Sequence, residues 1–329
     1  MSEPREILHF NDERAWLTAR SIDITSTETP SLFGYGRETA FELACRKHGD
    51  TESRFRPNDR TEIGKEIENA IAIRAARLYG VKIRHKNEYM RVHDWRMGAS
   101  FDYEIVGVSD DQIEDNRLRV AFGQMGPGIM EVKNVDSLVF KNEWIYSEGT
   151  GYEAPAHIEI QLQHQLEISE LAWGAIVAFV GGNRIEIIVR LRDHAVGDAL
   201  RNKVCMFWAD LNNGVYPPVS LPEDIDVLKQ LYGYSEPGNV LDARDRNDIE
   251  DIVIDYIDAQ RDEKAAKDRK DTAQGKLLQR IGSAERVITN AATISCALVA
   301  PTTVPSYERK GYRNWRVTPK KQKSLETMK

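Results

Sequence analysis

Apolar residues recur at helical spacing over 61–80 (TEIGKEIENAIAIRAARLYG). Ile63, Ile67, Ile71 and Leu78 fall near one face, and Gly80 suits the end of a helix. Residues 39–48 (TAFELACRKH) have the same spacing, 154–172 form a second strong helix entered after Pro155, and 193–213 are helical again. Between these helices the pattern changes. Segments 81–93, 98–106 and 128–135 are short, carry β-branched residues and have turn signals between them, so they read as strands. Residues 111–127 read as a loop or insertion leading to the third of these. Two further strands, 173–181 and 184–190, meet through Gly181-Gly182-Asn183, a hairpin signal. Ahead of all this, residues 1–60 mix short helical stretches with loops. Trp16 to Arg20 there precede a Ser/Thr run, Ser21 to Thr29. The order predicts a mixed α/β domain.

Pro217, Pro218 and Pro222 punctuate the chain, and a different composition follows. Residues 242–286 are rich in Asp, Glu, Lys, Arg and Ala, with a narrow apolar stripe from Ile249, Ile252, Val253, Tyr256 and Ile257. This predicts a long, mostly solvated helix, unbroken or broken, open to pairing with another helix. Short strands are expected over 285–299 and 312–318. The expected organisation is a domain over 1–222, a helical arm with short strands over 223–319 and a frayed tail over 320–329.

Composition narrows the class. With 41% hydrophobic and 29% charged residues the chain is globular, and no run approaches the roughly 20 apolar residues of a membrane helix. The charged start MSEPREILHF lacks the apolar core of a signal peptide, so no membrane partner and a cytoplasmic location are expected. Cys45, Cys205 and Cys296 are odd in number and far apart, which excludes a disulfide framework or zinc ribbon. All three are expected to be buried or half-buried. The net charge of −7 is no help to a nucleic-acid binder, yet carboxylates around a metal lower it while a groove stays basic.

The chemistry concentrates in the strands. Glu131 and Lys133 are two apart on 128–135, so they project together while Met130 and Val132 face the core. If Asp102 comes from the neighbouring strand, two carboxylates and one ammonium converge. Magnesium wants carboxylate oxygens, lowers the pKa of a bound water and clamps a phosphate. Lys133 would then orient or help deprotonate the nucleophile, or stabilise charge on the phosphorane. Glu-x-Lys on a solvated strand face is common, so the pair alone decides nothing. Context adds Glu68 on the helix over 61–80, and Gln161, Gln163 and Gln165 on that over 154–172. Glutamines among apolar positions need partners, such as a metal-bound water or a phosphate. His157 and His164 lie too far apart for a zinc pair and are expected in core or surface roles.

Further signals run in order over residues 14–220. They are Trp16, Arg20, Ile24-Thr25-Ser26-Thr27-Glu28 and Leu32-Phe33-Gly34, then Gly64-Lys65-Glu66-Ile67-Glu68, Asp102, Glu131-Val132-Lys133, and Gln161-Leu162-Gln163-His164. Phe207-Trp208, Gly214 and Pro217-Pro218 close the series. In this order they resemble the lambda exonuclease/YqaJ group of viral recombination nucleases, within the PD-(D/E)XK class. The resemblance implies a restriction-endonuclease-like core, a mixed central sheet flanked by helices, here with a C-terminal helical arm and small β element.

It also implies roles. Asp102 and Glu131 would be metal ligands, joined by the Val132 carbonyl. Lys133 would be the catalytic lysine, Glu68 would assist the metal, and Gln161 would position the lysine or the attacking water. Arg20 and Thr27 fall where the family binds a terminal 5′-phosphate, with Thr27 in place of the usual serine. Phe101 stands where the family has a proline, and Ser26 replaces a small residue.

The implied activity is degradation of linear double-stranded DNA from the 5′ end in phage-type recombination. Mg2+ would be the cofactor, Mn2+ a substitute, a single-strand-annealing protein a partner, and a homo-oligomer the assembly. Two other readings stay open: an endonuclease or nickase of the same fold, and a non-catalytic DNA-binding or assembly protein whose working part is the arm.

Overall fold

A computed structural model describes residues 4–298 apart from 11, 54–57, 110–112, 114 and 150. The strand expected over 312–318 and the tail over 320–329 lie outside the described residues. The chain divides into two compact units, 1–231 and 232–329.

In the first unit the order is β1 (Arg5–His9), α1 (Glu13–Ser21), β2 (Ile24–Thr25), a 3-10 turn (Thr29–Phe33), α2 (Ala40–His48), α3 (Asp59–Leu78), β3 (Val81–His85), β4 (Glu88–Val92), β5 (Met97–Ser100) and β6 (Tyr103–Val108). Then come α4 (Arg117–Met125), β7 (Gly128–Val135), α5 (Ser137–Glu143), β8 (Ile145–Ser147), β9 (Gly151–Glu153), α6 (Ala156–Ser169), β10 (Trp173–Val180), β11 (Arg184–Leu191), α7 (His194–Asn212) and α8 (Ile225–Leu231). The second unit holds α9 (Asn247–Ile281), one unbroken helix, and the hairpin β12 (Arg286–Ile288) and β13 (Thr293–Ser295).

The fold is mixed α/β, with two mixed sheets. One runs β11-β10-β7-β6-β3, where only β7 and β10 are parallel; the other runs β1-β4-β5-β2, where only β2 and β5 are parallel. Two expected strands each become two. Segment 81–93 divides into β3 and β4, and segment 98–106 into β5 and β6, because the chain passes from one sheet to the other at 86–87 and at 101–102. The crossings are tied together, since Lys86 N–H donates to the Asp102 carbonyl at 3.1 Å.

Other expectations shift for similar reasons. The loop expected over 111–127 contains α4, whose buried Leu118 and Ala121 and packed Phe122 and Met125 follow helical spacing. On α3 the buried face is Ile71, Ala72, Ala75 and Ala76, while Ile63 and Leu78 are exposed. The small residues let the helix lie close against β7 and β3. Strand β1 has no counterpart in the sequence reading; it is an edge strand on β4, with none of its residues buried. Cys45 is buried, but Cys205 and Cys296 are exposed. Cys205 sits on α7 opposite the face that buries Val204, Phe207 and Trp208. Beyond the prolines, Val227 of α8 packs with Phe41 and Cys45 of α2, and the buried Asp224 accepts from the Thr39 hydroxyl at 2.6 Å. Among the described residues no helix is long and apolar enough to cross a membrane.

Helix α6 touches β4 and β5 of one sheet and β7 and β10 of the other. A helix so enclosed must bury polar positions with their partners. His164, fully buried, lies 2.7 Å from the Thr29 hydroxyl through Nδ1 and 3.1 Å from the Gly98 carbonyl through Nε2. A carbonyl only accepts, so Nε2 carries the proton and the threonine hydroxyl donates to Nδ1. Burial holds this imidazole down at about 4.

Two stability predictions follow from this packing. The folded His164 has the lower pKa, so its stabilisation is present above roughly pH 6.5 and is lost as pH falls toward about 4. The loss reaches about 3 kcal/mol, at 1.36 kcal/mol per unit. Urea midpoints of the native chain should fall across that window, and His164→Gln, less stable at pH 7, should flatten the slope. An unchanged slope would show that another group sets it. Second, a Cβ at Gly128 would lie 2.4 Å from the indole of the fully buried Trp173. Gly128→Ala should cost about 1–3 kcal/mol by overpacking, read as a lower urea midpoint at pH 7.

Candidate active site

Strand β7 is buried on both faces for most of its length. Met130 and Val132 enter the core on the α3 side. Glu131, 2% exposed, points to the opposite side, toward α6, together with Lys133. A carboxylate this buried must be fully hydrogen-bonded. Its Oε1 accepts from Lys133 Nζ at 2.6 Å and from Gln161 Nε2 at 2.6 Å, and its Oε2 accepts from Gln165 Nε2 at 2.7 Å. Lys133 Nζ also donates to Gln161 Oε1 at 3.1 Å. Gln161 and Gln165 are one helical turn apart, so one face of α6 serves both carboxylate oxygens. Gln163 faces away, bonded to the Leu191 carbonyl and the Asp193 N–H.

Asp102 stands at the sheet crossing just before β6. Tyr103 pairs with Met130 in the antiparallel ladder, so the register carries Asp102 opposite Glu131. There its Oδ2 accepts the Val132 N–H at 2.8 Å, a side chain completing a ladder that the turning backbone leaves. Burial and then Glu131 push the Asp102 carboxyl well above its ordinary range, against Lys133. Glu68, on α3 and half-buried, is raised by burial and by Glu131. Lys133 is lowered by burial, but Glu131 and Asp102 outweigh that and hold it above its ordinary value as an ammonium.

Three carboxylates thus share one ammonium, a balance that a hard divalent cation complements. The donor set fits such an ion in kind, with oxygens from Asp102, Glu131 and Glu68. The buried Oε1 of Gln165 has no hydrogen-bond partner, because its amide nitrogen serves Glu131 and the Ser100 carbonyl. That orphaned acceptor suits a water beside the carboxylates. The arrangement is not a ready-made cage. Among the described residues no three His, Cys, Asp or Glu side chains form a metal cluster, and both Glu131 oxygens are held by nitrogens.

The second expected pair also meets. Arg20 Nη2 lies 3.5 Å from the Thr27 hydroxyl, its Nη1 lies 3.4 Å from Ser100 Oγ, and its guanidinium sits 4.2 Å over the Trp16 ring. Trp16 Nε1 donates to the same Ser100 Oγ at 3.1 Å. The turn that presents Thr27 is fixed by Glu28, which accepts the Thr25 N–H at 2.9 Å and pairs with Arg46 and Lys47 at 2.9 Å each. Burial opposes ionisation of Glu28, yet these two cations bring it down to about 2.

All eight expected site residues therefore fall into two groups. Asp102, Glu131, Val132, Lys133, Glu68 and Gln161 gather around β7, and Arg20 and Thr27 gather around Ser100. Gln165 bridges the groups, from Glu131 Oε2 to the Ser100 carbonyl at 3.1 Å. Sequence reasoning gave no role to Ser100 or Arg37 and none of its own to Gln165, and it placed His157 in the core or at the surface rather than at the site. The spacing of Gln165 from Gln161 held a signal; Ser100 held none, because its place depends on β5 leaving the sheet of β6. Arg37, exposed, and the half-buried His157 both act electrostatically on or through Lys133. His157 is lowered by burial, then by Lys133 and Arg37.

No curated protein matches the chain. Among solved structures, an alkaline exonuclease (LHK-Exo) from Laribacter hongkongensis is similar at 18% identity over 61% of this chain and 93% of its own, with a TM-score of 0.44. LHK-Exo in complex with dAMP is similar at 17% identity over 66% and 96%, with a TM-score of 0.41. These likenesses carry no residue assignment. The family profile that matches is that of the YqaJ-like viral recombinase domain, over residues 15–172, a span holding α1, the Thr27 turn, β5 to β7 and α6. That segment, 158 of the 329 residues, matches the YqaJ-like viral recombinase domain.

Proposed function

We propose that this chain is a Mg2+-dependent exonuclease that degrades one strand of linear double-stranded DNA from the 5′ end, with Mn2+ as substitute ion. The observation that carries the reading is the Glu131–Lys133–Gln161 triangle on β7 and α6, with Asp102 in register opposite, inside the family segment. Asp102, Glu131 and the Val132 carbonyl would hold the ion, with Glu68 in support. Once bound, it supplies a polarised water and a clamp on phosphate oxygens.

The chain's own groups do the rest. Lys133 puts a fixed positive charge where a phosphorane gathers negative charge. Gln161 holds that ammonium in place, and Gln165 offers its free carbonyl oxygen to a water. Arg37 and His157, which lie within electrostatic reach of Lys133, would add donors for phosphate oxygens beside it. Arg20, Thr27 and Ser100 form a small polar pocket suited to a terminal 5′-phosphate. Arg20 is buried enough that its charge is poorly screened and favours a dianion. A homo-oligomer and a single-strand-annealing partner complete the reading for phage-type recombination.

Digestion of 5′-phosphorylated linear duplex in Mg2+ tests the site. Lys133→Ala and Glu131→Ala should each lower the rate by about a thousandfold or more with the fold intact by circular dichroism. Full activity in both variants would remove the assignment. Comparing 5′-phosphate with 5′-hydroxyl ends tests the pocket. The native chain should prefer the phosphate by about tenfold or more, and Arg20→Ala and Thr27→Val should each erode that preference. Cleavage of closed circles at the same rate would make the chain an endonuclease instead.

A further inference from the structure

Strand β7 runs on past Lys133 to Val135, and the chain turns there into α5. The Val135 carbonyl accepts the Gly181 N–H at 2.9 Å, so the tip of the β10–β11 hairpin lies beside the start of α5. Between α5, this tip and the β8–β9 hairpin is a cleft of about 690 Å³, within the size range of small-molecule sites. Its walls are aromatic. Phe140 and Trp144 are buried and stack with ring centres 4.9 Å apart. Tyr152 meets Phe140 edge to face at 4.8 Å, and Tyr146 meets Tyr152 the same way at 5.1 Å. The row ends in solvent, since Tyr146 is 63% exposed. An exposed ring held by a buried row is in place before anything binds.

Cations frame the rings. Lys141 and Arg184 are the charged residues lining the cleft, on a chain of net charge −7. The Arg184 guanidinium lies 4.9 Å from the Phe140 ring centre and 5.9 Å from that of Tyr152. Its Nε also pairs with Glu186 at 3.3 Å. A row of rings accepts the faces of nucleobases whatever their sequence, and cations beside it take the phosphates between them. An apolar ligand would leave the cations unanswered, and duplex DNA keeps its base faces inside. An unpaired strand offers both.

The cleft adjoins the candidate active site. Val135 is two residues, about 7 Å, beyond Lys133 on the same strand. Glu143 at the end of α5 and Lys133 both lie within electrostatic reach of His157, in the first turn of α6. Phe140 and Trp144 share a core with Ile158 and Leu162 of α6, the helix toward which Glu131 and Lys133 point.

We propose that this cleft holds the DNA strand that digestion leaves unpaired, with bases on Tyr146 and Tyr152 and phosphates on Lys141 and Arg184. The inference rests on the proposed exonuclease function for the origin of that strand. The binding itself needs no hydrolysis, so the two can fail separately.

Fluorescence anisotropy of the full chain with a labelled oligothymidylate, in EDTA, is the test. Tyr146→Ala should weaken binding by about fivefold or more, whereas Tyr146→Phe should stay within about twofold of native. Lys141→Ala should lower the slope of log K against log salt by about 0.7, the share of one phosphate contact. An abasic oligonucleotide of the same length should bind the native chain no better than the thymidylate binds Tyr146→Ala. Among partial duplexes, Tyr146→Ala should weaken binding of one with a 3′ overhang and leave a blunt one unchanged. Native affinity in Tyr146→Ala, or an abasic strand bound as tightly as the thymidylate, overturns the proposal. So do equal losses on blunt and overhanging duplexes, and so does a native chain that binds no single strand.

Discussion

The burial of one charge organises the first unit. Glu131 lies in the middle of a strand covered on both faces, where an unpaired carboxylate would cost several kcal/mol. Lys133, two residues on, supplies the opposite charge, and the amide nitrogens of Gln161 and Gln165 across on α6 complete its hydrogen bonds. Those bonds fix the rotation of α6 about its axis and its height along β7. They also hold Lys133 near the rim instead of free in solvent. Under the proposed function the same four groups would serve hydrolysis of a phosphodiester, so that stability and chemistry would draw on one set of contacts.

From that carboxylate a chain of bonds reaches the second group. Gln165 joins Glu131 to the Ser100 carbonyl, and the Ser100 hydroxyl meets Trp16 and Arg20. His164, next to Gln165, ties α6 to Thr29 and Gly98, on either side of the same pocket. Under the proposed function the distance between a bound end-phosphate and the reacting phosphate would thus be set by this chain of hydrogen bonds. The two sheets make this possible. β5 and β6 are consecutive in sequence yet lie in different sheets, so Ser100 and Asp102, two residues apart, serve different groups.

The second unit follows another logic. It has no buried helix face of its own among the described residues, and its charges are segregated along α9 instead of balanced turn by turn.

Periodicity alone was enough for the long helices α2, α3, α6, α7 and α9 and for the β10–β11 hairpin, because each has a sustained apolar repeat with its own stop signal. It was also enough for Glu131 and Lys133 to share a face, since the strand repeat is a local property. Residue order added Asp102, Glu68, Gln161, Arg20 and Thr27 as candidates. Tertiary structure decided the rest. Only the crossings at 86–87 and 101–102 divide two apparent strands between sheets, because pairing partners are chosen at long range and leave no local mark. The same crossings bring Asp102 opposite Glu131 and Ser100 to Arg20. The role of Gln165 and the saturation of Glu131 by nitrogen donors likewise needed α6 to be docked. Sequence wrote the faces of each element; which faces meet was settled by the burial of a charge that had to find its partners.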